Sequence, residues 1–529
     1  MDVCVDKFLF LDFSLKTKIA LAEINKEKNQ TYSYLKHLQV QAVKSALNGE
    51  TLVVLPTGYG KSLIYELIPK MTNQKAIVIS PLNSIISEQV TKKGNTAIWI
   101  TDTVLNDLAW NGVGPKTEQV TSLMSGKVTH IFGHPEILVS KQFLEIVRDN
   151  LCDTVGYVFV DEAHCVVNWG CQFRPDYQKL SKLKSVIRGV VFVAMTATAT
   201  HRMQHEILEK LCMSKSTTVV QTSNIRANIK FNIVKRQPST GKTSAEESFE
   251  TIVLPLLKEL CTDNNDDFPR TIVYSKLKYC ALGYELAHKV SMKSNTQIMD
   301  SISQYHAPST SSMKEKLVQE MGHPSSKLKL LFATEAYSMG TDAPNIRRIV
   351  HIGPPSSLDT YMQEVGRGGR DGEDCDALLY YNASDIGKNV TSMMPEVCEF
   401  CISNTCRRTF LGMHFGMQHD HDTVSLHRCC DICADICSCD TCLAKRDIVD
   451  YDDQLTSDQI SLSSALSSYF DAENRSNENK ITGLTDELLT TIIKSSPKLS
   501  SKDDVARLCG DLQDLFIDNI YILISTVTK

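Results

Sequence analysis

The sequence predicts an α/β protein with two tandem domains, each built on a parallel sheet. Short apolar runs recur along most of the chain, and amphipathic segments separate them. Strands that are apolar throughout are typical of parallel sheets, because helices cover both faces of such a sheet. A glycine-rich loop follows the first run, at 51–55, and an acidic pair follows a later run, at 156–160. We therefore expect a ligand at the carboxyl edge of the first sheet.

The apolar runs give the order of the predicted elements, which begin with helices in 1–50. The strands of the first domain are predicted at 51–55, 76–80, 97–100, 128–132, 156–160, 190–195 and 217–221. Those of the second domain are predicted at 229–234, 271–274, 328–332, 348–352 and 377–381. The helix that begins at Ser62 is predicted to end at Pro69, since proline interrupts helical hydrogen bonding.

Composition and pattern divide the chain into six predicted segments. These are N-terminal helices (1–50), a first sheet domain (51–222), a second sheet domain (223–390), a small helical Cys/His-rich subdomain (391–445), a polar linker (446–480) and a helical C-terminal segment (481–529). The linker is rich in Ser, Asp and Asn, so we expect it to be partly disordered.

The overall composition narrows the class of protein. A chain of 529 residues is too long for one core, and 42% hydrophobic with 22% charged residues is typical of globular proteins. The sequence shows neither an apolar run of membrane-spanning length nor a signal-peptide profile, so we expect a cytosolic or nuclear protein. A net charge of −6 means that any nucleic acid must bind in a local basic groove.

The glycine-rich loop is Leu55-Pro56-Thr57-Gly58-Tyr59-Gly60-Lys61-Ser62. A strand, a glycine turn and a helix are the context of a phosphate-binding loop, whose N–H groups surround an anion at the helix N-terminus. In that reading Thr57, Gly58 and Gly60 shape the loop. Lys61 meets the β/γ-phosphates, and Ser62 offers its hydroxyl to Mg²⁺. Leu55 replaces the usual first glycine, so this motif alone leaves an ordinary glycine-rich turn open.

The acidic pair stands in Val158-Phe159-Val160-Asp161-Glu162-Ala163-His164, at the end of a buried strand. Asp161 is suited to holding the Mg²⁺ of a nucleotide, and Glu162 to orienting or deprotonating the attacking water. A capped strand end is the alternative. The phosphate loop upstream favours a nucleotide hydrolase.

Together these two motifs resemble those of superfamily 2 helicases, and the next residues narrow the resemblance. Residues 165–177, Cys-Val-Val-Asn-Trp-Gly-Cys-Gln-Phe-Arg-Pro-Asp-Tyr, resemble the aromatic-rich loop of RecQ-family DNA helicases. The resemblance implies two RecA-like domains and covers most of 35–433. It also implies that Trp169 and Phe173 stack on unpaired bases while Arg174 meets a phosphate or base.

Further motifs extend the resemblance to both domains. It implies that Gln39 reads the adenine, that Ser80 and Thr196 contact DNA or couple it to hydrolysis, and that His164 belongs to the catalytic set. In the second domain, residues 332–342 match a motif of the family, and the resemblance assigns Asp342, the last of them, to the nucleotide site. Arg367 and Arg370 are expected to reach the γ-phosphate across the cleft, although a solvated basic turn is the alternative.

Three positions depart from the family pattern. Leu55 replaces a small residue, Thr341 replaces Ile, and Gly368 replaces Ala. None of the three removes a catalytic group, so we expect these departures to affect the turnover rate more than the class of reaction.

Nine of the 18 cysteines fall between Cys398 and Cys442, which suggests metal binding before disulfides. The resemblance to the family's zinc subdomain assigns one Zn²⁺ to Cys406, His427, Cys430 and Cys433. Cys429 is a competing fourth ligand. A further cluster, Cys437, Cys439 and Cys442, leaves a second metal site or free thiols open.

The resulting hypothesis is an ATP-dependent 3′–5′ DNA helicase that uses ATP, Mg²⁺ and Zn²⁺. By the resemblance it acts in the nucleus in DNA repair, recombination or replication, with the cytoplasm as the alternative compartment. No winged-helix pattern is recognised in 446–529, so single-stranded and tailed duplex DNA are the expected partners, with no membrane. Two alternatives remain, a DNA-binding scaffold with weak ATPase activity and an RNA helicase.

Overall fold

The first of two units, Met1–Ile436, contains two parallel sheets, as the sequence predicted. In the computed structural model, the residues described are 12–28, 32–109, 121–123, 126–168, 174–236, 245–262, 268–294, 297–323, 325–337, 343–387, 390, 393–417, 424–442, 457–476, 486–496, 499, 501–509, 512 and 514–527. No helix among them is long and apolar enough to cross a bilayer.

The first sheet has seven strands. They are β1 (Thr51–Val54), β2 (Lys75–Ile79), β3 (Ala97–Ile100), β4 (His130–Gly133), β5 (Val155–Val160), β6 (Val191–Thr196) and β7 (Thr218–Gln221). Their order across the sheet is β3-β4-β2-β5-β6-β1-β7, and the paired strands are parallel. Leu52 and Val54 face one apolar core and Val53 faces the other, so both faces of β1 are buried. This burial explains the continuous apolar runs in the sequence.

The second sheet has six strands. They are β8 (Ile229–Lys235), β9 (Thr271–Tyr274), β10 (Ile302–Tyr305), β11 (Leu330–Ala333), β12 (Arg348–Ile352) and β13 (Cys375–Tyr381). Their order is β10-β11-β9-β12-β13-β8, again with parallel pairs. Ile272 and Val273 face opposite cores, so this sheet is also covered on both faces.

The strand β10 was missed in the sequence prediction. It lies at the edge of the second sheet and pairs only with β11 among the described strands. Its central residues, Ser303 and Gln304, are only partly buried. This edge strand therefore lacks the continuous apolar run that marks the inner strands.

Helices of the first domain begin with two that precede β1. In chain order they are α1 (Phe13–Lys28), α2 (His37–Asn48), α3 (Ser62–Thr72), α4 (Asn83–Lys93), α5 (Asp102–Ala109), α6 (Pro135–Leu138), α7 (Lys141–Asn150), α8 (Cys165–Asn168), α9 (Lys182–Val186) and α10 (His201–Lys210). The helices predicted within 1–50 are therefore present in the described part of that segment.

The predicted end of α3 at Pro69 was wrong, since the helix continues to Thr72. Proline has no N–H, so the carbonyl of Tyr65 loses its helical donor. That carbonyl instead accepts a hydrogen bond from Nε2 of the buried His130, at 2.9 Å. A side chain from β4 thus replaces the missing bond, which local sequence cannot show.

The second domain and the Cys-rich subdomain carry eight further helices among the described residues. They are α11 (Ala245–Thr262), α12 (Leu277–Ser294), α13 (Ser311–Gly322), α14 (Leu358–Val365), α15 (Pro395–Ile402), α16 (Arg407–Phe415), α17 (Leu426–Cys429) and α18 (Asp431–Asp435). Short 3₁₀ turns lie at Gly94–Thr96, Pro175–Lys179, Met299–Ser301 and Glu335–Tyr337.

The second unit, Cys437–Lys529, has its own apolar core. Its helices are α19 (Ser457–Ser476), α20 (Asp486–Ser495), α21 (Lys502–Cys509) and α22 (Asp514–Val527). The linker expected at 446–480 was wrong where α19 lies, because Leu462, Leu466 and Phe470 are buried in this core. Their spacing of four residues makes one apolar stripe, which the surrounding Ser and Asp conceal in the composition.

Candidate functional site

The phosphate loop joins β1 to α3 at the carboxyl edge of the first sheet. Gly58 and Gly60 have φ angles of +79° and +89°, a left-handed region that favours glycine. Gln39 of α2 holds the loop, because its Nε2 donates to the carbonyls of Tyr59 and Gly60 at 3.1 and 3.0 Å. A Cβ at Gly60 would lie 2.6 Å from that nitrogen. The predicted adenine reader therefore contacts the phosphate loop itself.

Lys61 ends this loop and Ser62 begins α3. The Lys61 ammonium donates to the carbonyl of Leu55 at 2.9 Å and lies 3.5 Å from that of Pro56. Burial lowers the pKa of Lys61, and the nearby carboxylates of Glu162 and Asp161 oppose that shift. A cation in so dry a position attracts an anion strongly, as a phosphate site requires.

The acidic pair follows β5, two strands away from β1 in the sheet. Burial and the carboxylate of Glu162 raise the pKa of Asp161 to about 7, while Lys61 opposes the shift. Glu162 has a φ of +48°, a conformation that costs a non-glycine residue about 1–2 kcal/mol. Such strain is concentrated at functional sites, and both carboxylates of this pair act on the Lys61 ammonium.

His164 connects the acidic pair to β6 and to the second domain. Nδ1 of His164 lies 3.0 Å from Oγ1 of the buried Thr196 and 3.4 Å from Oε2 of Glu162. On its other side, Nε2 lies 3.3 Å from the amide nitrogen of Gln363, which belongs to α14. Because an amide nitrogen only donates, Nε2 accepts this bond and Nδ1 carries the proton.

The two arginines after α14 take different positions. Arg370 approaches the phosphate loop, where a Cβ at Gly58 would lie 3.4 Å from its Cδ. Arg367 is 2% exposed, and its guanidinium lies 5.3 Å from the ring centre of Tyr337, within the second domain. Of the two arginines expected to reach the γ-phosphate, Arg370 therefore lies at the phosphate loop, whereas Arg367 packs against an aromatic ring.

Arg226 is a site residue that the sequence prediction missed. It lies just before β8, and its guanidinium donates to the carbonyls of Gly366, Gly368 and Gly369 at 2.8, 2.6 and 2.8 Å. Burial and the charge of Arg370 lower the pKa of Arg226 to about 10. Arg226 thus fixes the backbone that carries Arg370, and no local motif marks it.

The residues predicted to contact DNA are only partly described. Ser80 is buried directly after β2, and its hydroxyl has no hydrogen-bond partner among the residues that the structure describes. Arg174 donates to the carbonyl of Pro81 at 3.1 Å and lies 3.5 Å from Glu136. Trp169 and Phe173, and also Asp342 of the nucleotide site, lie outside the described residues.

Four cysteines form a compact sulfur cluster. The Sγ atoms of Cys406, Cys429, Cys430 and Cys433 all lie within 4.8 Å of one another. Tetrahedral zinc with Zn–S bonds near 2.3 Å places its sulfurs about 3.8 Å apart, and Cys406 lies 3.6 Å from Cys429 and 3.9 Å from Cys430. The donor set therefore suits Zn²⁺.

The assignment of His427 as a ligand of this site is corrected by that cluster, in which Cys429 takes the fourth place. Both residues lie on the single turn of α17, Leu426–Cys429. Two residues apart on a helix, they face different directions. Cys429 is buried, whereas His427 is only partly buried.

Two arginines join the sulfur cluster to the second sheet. Arg408 is completely buried, and its guanidinium donates to the carbonyls of Arg226 and Ala227, each at 3.0 Å, and also to that of Ile229. Arg407 pairs with Asp431 at 3.0 Å. The sulfur cluster is thus attached to the backbone at 226–229. The same backbone holds Arg226 beside the turn that carries Arg367 and Arg370.

Comparison with known proteins agrees with this geometry. The model of the DEAD/DEAH box helicase family matches residues 36–207, and that of the helicase conserved C-terminal domain matches 253–372. ATP-dependent DNA helicase Q-like 2 of Arabidopsis thaliana is 30% identical over 413 residues, which are 75% of this chain and 54% of that protein. ATP-dependent DNA helicase RecQ of Haemophilus influenzae is 28% identical over 425 residues, 76% of this chain and 62% of that protein. The chain thus spans less than two thirds of either relative.

Solved structures share the fold at low identity. Helicase Lhr of Mycobacterium smegmatis, bound to ssDNA and AMP-PNP, superposes with a TM-score of 0.54 and 15% identity, over 74% of this chain and 50% of that one. Dbp5 of S. cerevisiae, bound to RNA and ADP BeF3, superposes with a TM-score of 0.53 and 14% identity, over 78% of this chain and 94% of that one. At such low identities, the likeness concerns the fold alone.

Proposed function

Since this chain belongs to the RecQ-like family of superfamily 2 helicases, we propose that it is an ATP-dependent DNA helicase that moves 3′ to 5′ on single-stranded DNA. The names of these relatives describe DNA helicases, and two helicase family models match this chain. The activity is proposed for this chain, which spans only part of the length of each relative.

One observation supports the reaction most directly, the meeting of four charged groups at the phosphate loop. Lys61 lies in the electrostatic field of Asp161 and Glu162, and Arg370 packs against Gly58. In the proposed roles, Lys61 and the loop N–H groups hold the triphosphate, while Asp161 and Ser62 hold Mg²⁺. Glu162 orients water, and Arg370 stabilises the charge that develops on the γ-phosphate.

Coupling between nucleotide and DNA follows from the contact of the two domains. Gln363 of α14 lies beside His164, and also 3.4 Å from Oγ1 of Thr198 after β6. Closure around ATP would strengthen these contacts, and hydrolysis would release them.

DNA would cross the loops after β2 and β6, near Ser80, Thr196 and Arg174, with Trp169 and Phe173 stacking on bases. Gln39 and Asp342 complete the proposed nucleotide contacts, with Arg367 supporting the arginine turn.

A structural zinc is part of the same proposal. Cys406, Cys429, Cys430 and Cys433 would hold one Zn²⁺, which contributes directly to the folding of a small subdomain. The domain limits proposed from the sequence place this subdomain at 391–445, after sheet domains at 51–222 and 223–390. Action in the nucleus, on single-stranded or tailed duplex DNA, is proposed from the family.

The test is ATP hydrolysis by the purified chain with no nucleic acid, with single-stranded DNA or with RNA of the same sequence. We expect DNA to stimulate the rate and RNA to stimulate it much less. Equal stimulation by RNA would favour an RNA helicase, and no stimulation would favour a DNA-binding scaffold. Unwinding of one duplex with a 3′ tail, a 5′ tail or no tail then tests polarity, and the 3′-tailed form should be unwound best.

A further inference from the structure

A second group of thiols lies in the second unit, apart from the four cysteines assigned above. Cys437 and Cys442 are each 6% exposed, and Cys439 is partly buried. The Sγ atoms of Cys439 and Cys442 lie within 4.8 Å of each other. The side chain of Cys442 also interacts with those of Cys437 and Cys439, so the three thiols are neighbours.

The backbone explains how so short a segment gathers three sulfurs. The N–H of Cys442 donates to the carbonyl of Cys439 at 3.0 Å, which closes a turn and brings their side chains together. Cys437 precedes this turn by two residues. No disulfide joins the cysteines that the structure describes, so all three sulfurs are available as thiols.

We propose that Cys437, Cys439 and Cys442 bind a second Zn²⁺ as thiolates. Three converging thiols are soft donors that suit Zn²⁺. Binding forms three Zn–S bonds and releases three thiol protons to solvent, with no change of oxidation state. Residues 437–529 contain no histidine, so the fourth position falls to water or to a ligand from another part of the chain.

The experiment counts zinc in the full chain, purified under reducing conditions and dialysed against metal-free buffer. Elemental analysis of the wild type should give two zinc ions per chain, and the variant Cys439→Ser should give one. The matched control is Cys212→Ser, which removes an exposed thiol after α10 and should keep two. Native mass spectrometry of the wild type gives the same count without any variant, in case Cys439→Ser does not fold.

A single zinc in the wild type, or two zincs in Cys439→Ser, would overturn the proposal. So would a disulfide among the three cysteines, found by alkylation and peptide mass mapping of the wild type. A second zinc that is lost on dialysis and does not rebind at stoichiometric concentration would be adventitious. The proposal predicts instead that one added equivalent restores the count of two.

Discussion

The amide nitrogen of Gln363 lies 3.3 Å from Nε2 of His164, and this contact joins the second sheet domain to the acidic motif of the first. The other nitrogen of His164 lies 3.0 Å from Oγ1 of Thr196, at the end of β6. One imidazole therefore links the end of β6 to the helix that precedes the arginine turn. Movement of Gln363 therefore affects the position of His164, because the imidazole ring has polar partners on both sides.

Replacing Gln363 with Ala should weaken the coupling between DNA and hydrolysis. The variant loses a hydrogen bond between domains, so we expect the DNA-stimulated kcat to fall about tenfold, which corresponds to about 1.4 kcal/mol of barrier. Steady-state ATPase assays with saturating single-stranded DNA measure this change. Gln319→Ala, on an exposed position of α13, is the control. Full DNA stimulation in Gln363→Ala would mean that the contact is passive.

The variant Lys61→Ala should abolish ATP hydrolysis while the chain stays folded. Lys61 provides the side-chain cation of the phosphate loop, and its burial already lowers its pKa, so removing it relieves a desolvated charge. We expect a loss of at least about 100-fold in kcat/KM for ATP, with a thermal unfolding midpoint near that of the wild type. Lys141→Ala, whose side chain is 91% exposed, serves as the control. Substantial turnover in folded Lys61→Ala would place the nucleotide elsewhere.

Arg226→Lys should lower kcat through the arginine turn without affecting ATP binding. Lysine keeps the charge but cannot donate in a fixed fork to the three glycine carbonyls, so Arg370 loses its support. A small misplacement of a catalytic group can cost about 100-fold, and we expect a loss of 10- to 100-fold in kcat. Binding of a fluorescent ATP analogue should change less than the rate. Arg188→Lys, at an exposed position, is the control, and equal rates for both variants would contradict the role of Arg226.

The combined variant Trp169→Ala and Arg174→Ala should remove stimulation by single-stranded DNA. Base stacking on an aromatic contributes about 1–3 kcal/mol, and Arg174 is held beside the loop after β2 by the carbonyl of Pro81. ATPase activity with and without DNA, together with fluorescence anisotropy of labelled DNA, measures the change. Arg202→Ala, whose side chain is 90% exposed, should behave as the wild type. Unchanged stimulation in the double variant would make the loop purely structural.

Substitutions in the sulfur cluster should distinguish Cys429 from His427 as the fourth ligand. Starting from Cys439→Ser, which removes the second proposed zinc, Cys429→Ser should lose the remaining zinc and fall in stability. His427→Ala in the same background should retain it. Elemental analysis and thermal unfolding measure both effects. Loss of zinc in His427→Ala and retention in Cys429→Ser would restore the ligand set inferred from the sequence.

The sequence by itself determined the fold class and the main charged groups of the site. Inner strands such as β1, β5 and β9 are buried on both faces and therefore largely apolar. Apolar runs marked twelve of the thirteen strands that the structure describes, including the edge strand β7, which is exposed at three of its four positions. The phosphate loop and the acidic pair are contiguous motifs, because each acts through one turn of backbone at the end of a strand. Such features need no knowledge of distant neighbours.

Only the tertiary structure decided the features that depend on partners far along the chain. Pro69 stays inside α3 because His130 supplies the missing donor, and the edge strand β10 lacks an inner strand's apolar run. Gly368 fits its place because a Cβ there would lie 2.2 Å from Sγ of Cys375. Arg226 is separated from the carbonyls it holds by at least 140 residues. Cys429, and not His427, lies beside Cys406, Cys430 and Cys433, and the spacing of the residues does not reveal this. Hydrogen bonds and packing between distant segments leave no periodic pattern in a sequence, so only the tertiary structure determines these features.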